Sequence, residues 1–251
     1  MIAKIREDTL RETASLREAL GLTGEGVPRI AVTGAGGKTS TVKRLAAEFQ
    51  ALGATPLVLT TTHMYAEDSP LFLYHPRSVE EIAQSLAEKG CLFVGEKTDS
   101  KRMKNVSEEM FEEILALPVP VLMEADGARR LPVKFPGEQE PVIPREAERV
   151  LWVCGLDALG HPLEEVCFRP ELAAAFLGKA PEAALEPRDV ARLALSFQAG
   201  RKGVLPHMEY AVILNKADTE QRRRLAMETA AWIEREERVP VIVTAREGES
   251  R

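Results

Sequence analysis

The stretch of sequence that decides the fold of this chain is Thr33-Gly34-Ala35-Gly36-Gly37-Lys38-Thr39-Ser40. It follows the apolar run RIAVT, residues 29 to 33, and precedes TVKRLAAEFQAL, residues 41 to 52, whose apolar positions recur at helical spacing. A glycine-rich turn between a strand and a helix lets successive backbone N–H groups point inward, and the helix N-terminus adds partial positive charge. This order of elements predicts a phosphate-binding loop.

Residues 34 to 40 are therefore the expected nucleotide-binding segment, in which Lys38 would neutralise the terminal phosphates and Thr39 would offer its hydroxyl to Mg²⁺. The spacing departs from G-x-x-x-x-G-K-[ST], because Val32 stands five residues before Gly37. The shorter form T-G-x-x-G-K-[ST] resembles the loop of Mur-type ligases. A dinucleotide fingerprint is rejected, because its third glycine would fall at Thr39 and no ribose-binding acid ends the second apolar run.

Short apolar runs alternate with amphipathic stretches along the rest of the chain. Seven runs read as strands: residues 29–33, 56–62, 91–95, 119–126, 149–155, 210–215 and 239–245. Helices are expected after residue 38 and near 78–89, 106–117, 170–198 and 219–237. This alternation predicts an α/β domain of the P-loop NTPase type over residues 29–251, with a mostly parallel sheet of about seven strands and helices on both faces.

The remaining segments are expected to lie outside the sheet. Leu10, Leu16 and Leu20 recur at loosely helical spacing, which predicts a peripheral amphipathic helix over residues 6–20, within an N-terminal segment of residues 1–28. The stretch LPVKFPGEQEPVIP, residues 131–144, contains four prolines and predicts an ordered loop near the strand ends.

Composition excludes several classes of protein. The chain has 251 residues, 33 basic and 39 acidic, and a net charge of −6, which argues against a nucleic-acid partner. The three cysteines lie far apart and form no zinc-binding pattern. No apolar segment approaches the roughly 20 residues that cross a bilayer, and the first 20 residues lack the apolar core of a signal peptide. A cytoplasmic protein without a membrane partner is expected.

Two further segments follow late strands, N-K-A-D at residues 215–218 and T-A-R at residues 244–246. They resemble the guanine-reading elements of GTPases, in which Asp218 would accept the base N1 and N2 hydrogens while the stem of Lys216 covers the ring. The expected base-binding residues are Asn215, Lys216, Asp218 and Ala245. The alternative is that Asp218 only caps the following helix, so GTP is preferred and ATP remains open.

Acidic and cationic residues at the other strand ends are candidates for metal and substrate binding. Glu124 and Asp126 end a fully apolar strand two residues apart, where either carboxylate could hold Mg²⁺ beside the loop. We take Lys38, Glu124 and Asp126 as the candidate catalytic residues, and Thr39, Glu124 and Asp126 as the candidate metal ligands. Four more residues are candidates for contact with a substrate or a switch: Thr62, His63, Arg129 and Arg169.

Six segments together, TGAGGKTS, TTTHM, EADGARRLPVKFPGEQEPVIP, VCGLDALG, FRPE and ILNKAD, resemble the YqeC family over about residues 29 to 246. Members of that family are described as accessory or cofactor-biosynthesis proteins for selenium-dependent molybdenum hydroxylases. The resemblance implies a nucleotide-binding protein that serves maturation of a molybdenum and selenium site, with a molybdenum hydroxylase as its partner. It supplies no small-molecule substrate.

Two kinds of function remain open at this stage. One is an enzyme that hydrolyses GTP or ATP, or transfers phosphate to a small molecule as a kinase or ligase would. The other is a nucleotide-gated chaperone that delivers selenium or cofactor to an apo-enzyme, with slow hydrolysis as a timer.

Overall fold

The structure, a computed structural model, describes residues 1–6, 9–22, 26–99 and 101–245. The strands in this part of the chain are β1 (Ile2–Arg6), β2 (Thr9–Glu12), β3 (Arg29–Gly34), β4 (Leu57–Thr60), β5 (His63–Tyr65), β6 (Phe72–Tyr74), β7 (Leu92–Lys97), β8 (Arg102–Lys104), β9 (Val121–Glu124), β10 (Val133–Lys134), β11 (Arg149–Gly155), β12 (Cys167–Phe168), β13 (Glu209–Asn215) and β14 (Val241–Thr244).

The helices in the same ranges are α1 (Leu16–Ala19), α2 (Lys38–Gln50), α3 (Val79–Lys89), α4 (Glu108–Leu115), α5 (Leu163–Val166), α6 (Pro170–Leu177), α7 (Pro187–Leu195) and α8 (Glu220–Glu236). Ser78 caps the N-terminus of α3 and Thr219 caps that of α8, each by accepting a backbone N–H bond on its side chain. All five helical regions expected from the sequence after residue 38 are confirmed.

The seven strands expected from the apolar runs form the centre of a twelve-stranded sheet, in the order β14-β13-β11-β3-β9-β4-β7. Every neighbouring pair among these seven is parallel. The α/β class and the mostly parallel sheet are therefore confirmed. The sheet is mixed and larger than expected, because β1 and β2 extend one edge and β5, β6 and β8 extend the other.

Helices cover both faces of this sheet, as expected. On one face Val32 and Leu122 pack with Val42 and Leu45 of α2. On the other face their chain neighbours, such as Met123, pack with apolar residues of α3, α4, α7 and α8. Successive strand residues point to opposite faces, so runs that are apolar throughout can fill both cores at once. Each fully buried Leu or Val side chain contributes about 1.5–3 kcal/mol.

The prediction of an N-terminal helix over residues 6–20 is wrong. Strand β1 pairs antiparallel with β14 and with β2, and only the four-residue α1 is helical in the described part of that segment. Ile2 and Ile5 are buried against the sheet. An unpaired β14 would expose a row of backbone donors and acceptors, and β1 satisfies them. That tertiary requirement outweighs the weak helical spacing of Leu10, Leu16 and Leu20.

The segment of residues 131–144 is an ordered loop, as expected, apart from the two-residue strand β10, which pairs parallel with β12. This loop packs directly beside the carboxyl ends of the central strands: Leu131 and Pro132 accept hydrogen bonds from Gly36 and Gly155 through their carbonyl oxygens. No helix in the described ranges is both long and apolar enough to cross a membrane.

Candidate phosphate-binding site

The glycine loop, which we define as residues 33–40, connects β3 to α2. Its sharp turn depends on glycines, as two of them show. Gly36 has φ +76°, and a Cβ there would lie 2.3 Å from the backbone nitrogen of Gly155. Gly37 has φ +141°, and a Cβ there would lie 1.9 Å from Nδ2 of Asn215. Any other residue would be strained at both positions and would also push β11 or β13 away from the loop.

Backbone N–H groups in the glycine loop have two different roles. Those of residues 34–36 hold the loop in place: Gly34 donates to Oδ2 of Asp126 at 3.1 Å, while Ala35 and Gly36 donate to the carbonyls of Val153 and Leu131 at 2.8 and 3.1 Å. The next four, those of residues 37–40, donate to no other described residue. Four free donors at the start of α2 form a site that favours an anion.

Lys38 lies inside the loop and is almost fully buried, with 5% of its side chain exposed. Its ammonium donates to the Gly34 carbonyl oxygen at 2.8 Å and lies 3.1 Å from Oδ1 of Asp126 and 3.9 Å from Oε1 of Glu124. The structure therefore brings together the three residues that the sequence nominated as catalytic. A buried cation shared by two carboxylates at the loop is suited to neutralise bound phosphate.

Thr39 and Glu124 are joined directly, since Oγ1 of Thr39 donates to Oε2 of Glu124 at 2.7 Å. Burial raises the pKa of the Glu124 carboxyl, although Lys38 and the Thr39 hydroxyl act in the opposite direction. Glu124 is thus a buried carboxylate whose negative charge is not fully compensated by the protein, next to a hydroxyl. These are oxygen ligands of the kind that Mg²⁺ takes in proteins.

Asp126 has a different environment, which separates its role from that of Glu124. It is 2% exposed and lies between two lysines, with Oδ2 3.1 Å from Nζ of Lys134 as well as Oδ1 beside Lys38. Lys134 also donates to Oε2 of Glu140 at 2.8 Å, and Arg169 donates to the same oxygen at 2.8 Å. An ion network therefore runs from the glycine loop into the loop of residues 131–144.

The N-K-A-D segment supports the glycine loop. Asn215 donates through Nδ2 to the Gly36 carbonyl oxygen at 2.9 Å and accepts from the Thr244 hydroxyl at 2.8 Å. Lys216, in the left-handed conformation with φ +65°, forms an ion pair with Oδ2 of Asp157 at 2.6 Å. Asn215 thus links the ends of β13 and β14 to the glycine loop.

The two other base-binding candidates make contacts away from the glycine loop. Asp218 is exposed and its Oδ2 lies 3.5 Å from a guanidinium nitrogen of Arg222. The N–H of Ala245 donates to the Met1 carbonyl oxygen at 3.0 Å, so the expected contact of this donor with guanine O6 is not available in this structure. The reason is tertiary, because β1 pairs alongside β14 up to its end. Arg246 lies outside the described residues.

A cleft of about 720 Å³ opens in front of the free N–H groups. Lys38, Thr39, Ser40 and Glu124 line one part of it, and residues 63–65, Arg129, Arg130 and Lys216 line others. This volume is in the range of small-molecule sites. In the described ranges no three His, Cys, Asp or Glu side chains converge to hold a metal, so a cation here would also need ligand or water oxygens.

The remaining sequence candidates differ in their access to the cleft. His63 is exposed and lines it. Thr62 donates its N–H to the Thr60 hydroxyl, and its own Oγ1 is buried with no hydrogen-bond partner among the described residues. Arg129 lines the cleft, whereas Arg169 is held by Glu140 and packs 4.3 Å from the Phe168 ring centroid.

Comparison with known proteins places this arrangement in a family. The description "YqeC protein" is that of the family whose profile matches residues 30–171, more than half of the 251 residues. The chain belongs to the YqeC family. A relative from Escherichia coli (strain K12), "Uncharacterized protein YqeC", is 33% identical over 181 residues, which cover 70% of this chain and 70% of that protein. No solved structure matches the chain.

The YqeC match covers the glycine loop, both carboxylates and the ion network, and it ends before the N-K-A-D segment. Within the matched span, sequence reasoning missed Lys134 and Glu140. Lys134 stands alone in the apolar run LPVKF, and a lysine there that is 1% exposed must have a charged partner. The lone lysine in that apolar run was a usable signal, and its partners Asp126 and Glu140 are only eight and six residues away in the chain.

The pH dependence of the free energy of unfolding at low pH should reveal the ion pairs of Glu140. Burial tends to raise the pKa of this carboxyl, but hydrogen bonds from Arg169 and Lys134 outweigh it and lower the pKa from 4.5 to about 2. A depressed folded pKa contributes stability that is present above pH 4.5 and is lost as the pH falls through about 2. Glu140→Gln should therefore be less stable than wild type at pH 7, and the difference should shrink below pH 4.5.

Urea unfolding of both proteins at several pH values between 7 and 2.5 measures that difference. Glu138→Gln, on the same loop, is the control, because Glu138 is exposed and forms no ion pair among the described residues. If the difference in free energy of unfolding between wild type and Glu140→Gln stays constant over the whole pH range, the lowered pKa of Glu140 is contradicted.

Proposed function

We propose that this protein binds a purine nucleotide with Mg²⁺ at the glycine loop and catalyses its hydrolysis or a phosphoryl transfer from it. The observation that carries the proposal is the set of four free N–H groups of residues 37–40, placed around Lys38 and the hydrogen-bonded pair Thr39 and Glu124. Phosphoryl transfer is accelerated mainly by positioning and by neutralising charge, and these groups supply both.

The two carboxylates have separate tasks in this proposal. Glu124 lies beside the Thr39 hydroxyl, so this pair would hold Mg²⁺, while Asp126 holds the loop through the Gly34 N–H and positions Lys38. Bound Mg²⁺ would neutralise charge on the phosphate oxygens. The raised pKa of Glu124 supports a cation at that position, because a nearby positive charge relieves the unfavourable burial of its carboxylate.

We favour GTP as the nucleotide, with recognition of the base resting on Asp218. Its carboxylate is exposed and can accept two hydrogens from guanine, whereas adenine offers no such pair. Ala245 is no longer expected to contact the base, because its N–H donates a hydrogen bond to the Met1 carbonyl oxygen. Asn215 acts by supporting the loop at Gly36.

Isothermal titration with non-hydrolysable analogues of GTP and of ATP, each in the presence of Mg²⁺, tests this function. GTP should bind at least tenfold more tightly, and Asp218→Ala should bring the two affinities together while leaving phosphate binding intact. Glu220→Ala is the matched control, an exposed acid two residues further along that is paired with Arg224. Equal affinities in wild type would overturn guanine recognition, and no binding of either analogue would overturn the whole proposal.

The biological setting that we propose, maturation of a selenium-dependent molybdenum hydroxylase in the cytoplasm, rests on the family resemblance of the sequence. Hydrolysis assays separate the two forms that this role could take. Turnover by the protein alone, or phosphate appearing on a small molecule, supports an enzyme. Turnover that requires an apo-hydroxylase supports a nucleotide-gated chaperone.

A further inference from the structure

Two consecutive arginines, Arg129 and Arg130, lie between β9 and the loop that supports the glycine loop. Both adopt the left-handed conformation, with φ +47° and φ +65°. This conformation is unfavourable for residues with a Cβ, and neighbouring non-glycine residues that share it are held there by the surrounding structure. Such local strain is concentrated at functional sites.

Each guanidinium group lies over an aromatic ring. The Cζ of Arg130 is 4.3 Å from the centroid of the Tyr65 ring, and the Cζ of Arg129 is 5.1 Å from that of Phe168. A ring against the face of a guanidinium fixes its plane and leaves the in-plane N–H groups available to an oxyanion. The rings therefore prepare both arginines for bidentate hydrogen bonds.

Neither Arg129 nor Arg130 has an acidic partner in the part of the chain that the structure describes. The contrast is Arg169, which packs 4.3 Å from the same Phe168 ring but is neutralised by Glu140 at 2.8 Å. Both Arg129 and Arg130 are exposed and line the cleft in front of the glycine loop. Two uncompensated cations on one wall of a cleft favour an anionic ligand.

These arginines are tied to the phosphate site by short backbone contacts. The N–H of Leu131 donates to the Ala128 carbonyl oxygen at 2.9 Å, which closes a turn around both arginines. The Leu131 carbonyl oxygen accepts the Gly36 N–H at 3.1 Å. The turn therefore rests on the glycine loop, and its side chains reach the same cleft as Lys38 and Ser40.

We propose that Arg129 and Arg130 form a second anion site, which binds the phosphate group of a phosphate-bearing small molecule that is the second substrate. This inference rests on the proposed function, since the four N–H groups and Lys38 accommodate the nucleotide phosphates and leave both arginines available. A phosphate monoester fits two guanidinium forks, because its three terminal oxygens accept two bidentate pairs. The bound molecule would share the cleft with the nucleotide, since Arg129 and Arg130 line it together with Lys38 and Ser40.

The test is titration of phenyl phosphate into protein saturated with Mg²⁺ and the non-hydrolysable GTP analogue, with phenol as the uncharged probe. Phenyl phosphate should bind and phenol should not. The double variant Arg129→Gln with Arg130→Gln should weaken phenyl phosphate binding at least tenfold and change the affinity for the analogue by less than twofold. Lysine at both positions should restore only part of the binding, because an ammonium lacks the fork.

Arg235→Gln is the matched control, because that exposed arginine also lies over an aromatic ring, 4.8 Å from the centroid of Trp232, but outside the cleft. It should bind phenyl phosphate as wild type does. Failure of the saturated wild type to bind phenyl phosphate would overturn the second site and leave the nucleotide site standing. Loss of analogue affinity in the double glutamine variant would also overturn it, since the arginines would then serve the nucleotide itself.

A failure of the proposed nucleotide binding can be distinguished from a failure of the second anion site. If wild type does not bind the GTP analogue, phenyl phosphate is titrated into wild type and into the double glutamine variant without nucleotide. A difference of tenfold or more between them would support the anion site, and equal affinities would overturn it.

Discussion

Replacing Lys38 with alanine is expected to abolish nucleotide binding, with an affinity loss of about 100-fold or more. The ammonium is the only cation within 4 Å of both Glu124 and Asp126 in the described residues, and it belongs to the loop that carries the four free N–H groups. Without it, Glu124 would have no ion-pair partner and Asp126 would keep only Lys134, so bound phosphate would face excess negative charge; removing one partner of a buried ion pair costs about 3–5 kcal/mol. Titration with GTP and ATP analogues measures the loss.

The control for this variant is Lys89→Ala at the end of α3. Because α3 leads into β7, that lysine lies at the amino edge of the parallel sheet, away from the glycine loop. The Lys89→Ala variant should bind the GTP and ATP analogues with unchanged affinity. Urea unfolding of both variants must accompany the titration, since Lys38→Ala leaves the buried Glu124 without an ion-pair partner and Asp126 with Lys134 alone, and should be less stable. A folded Lys38→Ala protein that binds GTP as wild type does would refute the role of the glycine loop.

Replacing Lys134 with methionine should produce the largest loss of stability, about 3–5 kcal/mol, because it leaves Asp126 and Glu140 without the cation between them. The side chain of Lys134 is 1% exposed, so water cannot take over its role. The free energy of unfolding in urea at pH 7 measures the effect. Methionine keeps the volume and the apolar stem, so a change of packing contributes little.

Two further variants show whether charge explains the loss. Lys202→Met removes a lysine that bonds to the carbonyl oxygens of Gly137 and Glu138 on the same loop, with no carboxylate partner among the described residues, and should cost about 1 kcal/mol. Glu140→Gln combined with Lys134→Met should be less destabilising than the sum of the two single changes. A cost for Lys134→Met no larger than that of Lys202→Met would contradict the buried network.

Much of the fold was predictable because local patterns act over short distances. Runs such as Val121 to Met123 are apolar at every position, which suits a strand covered on both faces, and the glycine loop could be recognised by its place between such a run and a helix. The N-terminal segment was not predictable in this way. Its residues became β1 and β2 because β14 offered an unpaired edge more than 200 positions away in the chain.

The candidate site shows the same division between local and distant effects. Lys38, Thr39, Glu124 and Asp126 were nominated as candidates from the sequence alone, because residue type and position at a strand end are local properties. The partition of roles between Glu124 and Asp126 depended on which neighbours reach them across the fold, Thr39 for the first and the Gly34 N–H with Lys134 for the second. No spacing rule contains those contacts.

The sequence alone thus settled the α/β class, the seven parallel strands and the position of the glycine loop, because each depends on hydrophobic periodicity and turn residues within a short segment. Tertiary structure decided the strands at the sheet edges, the use of the Ala245 N–H by Met1 and the network from Lys38 to Arg169. Those features join residues far apart in the chain, and buried donors and charges select their partners by proximity in the folded molecule.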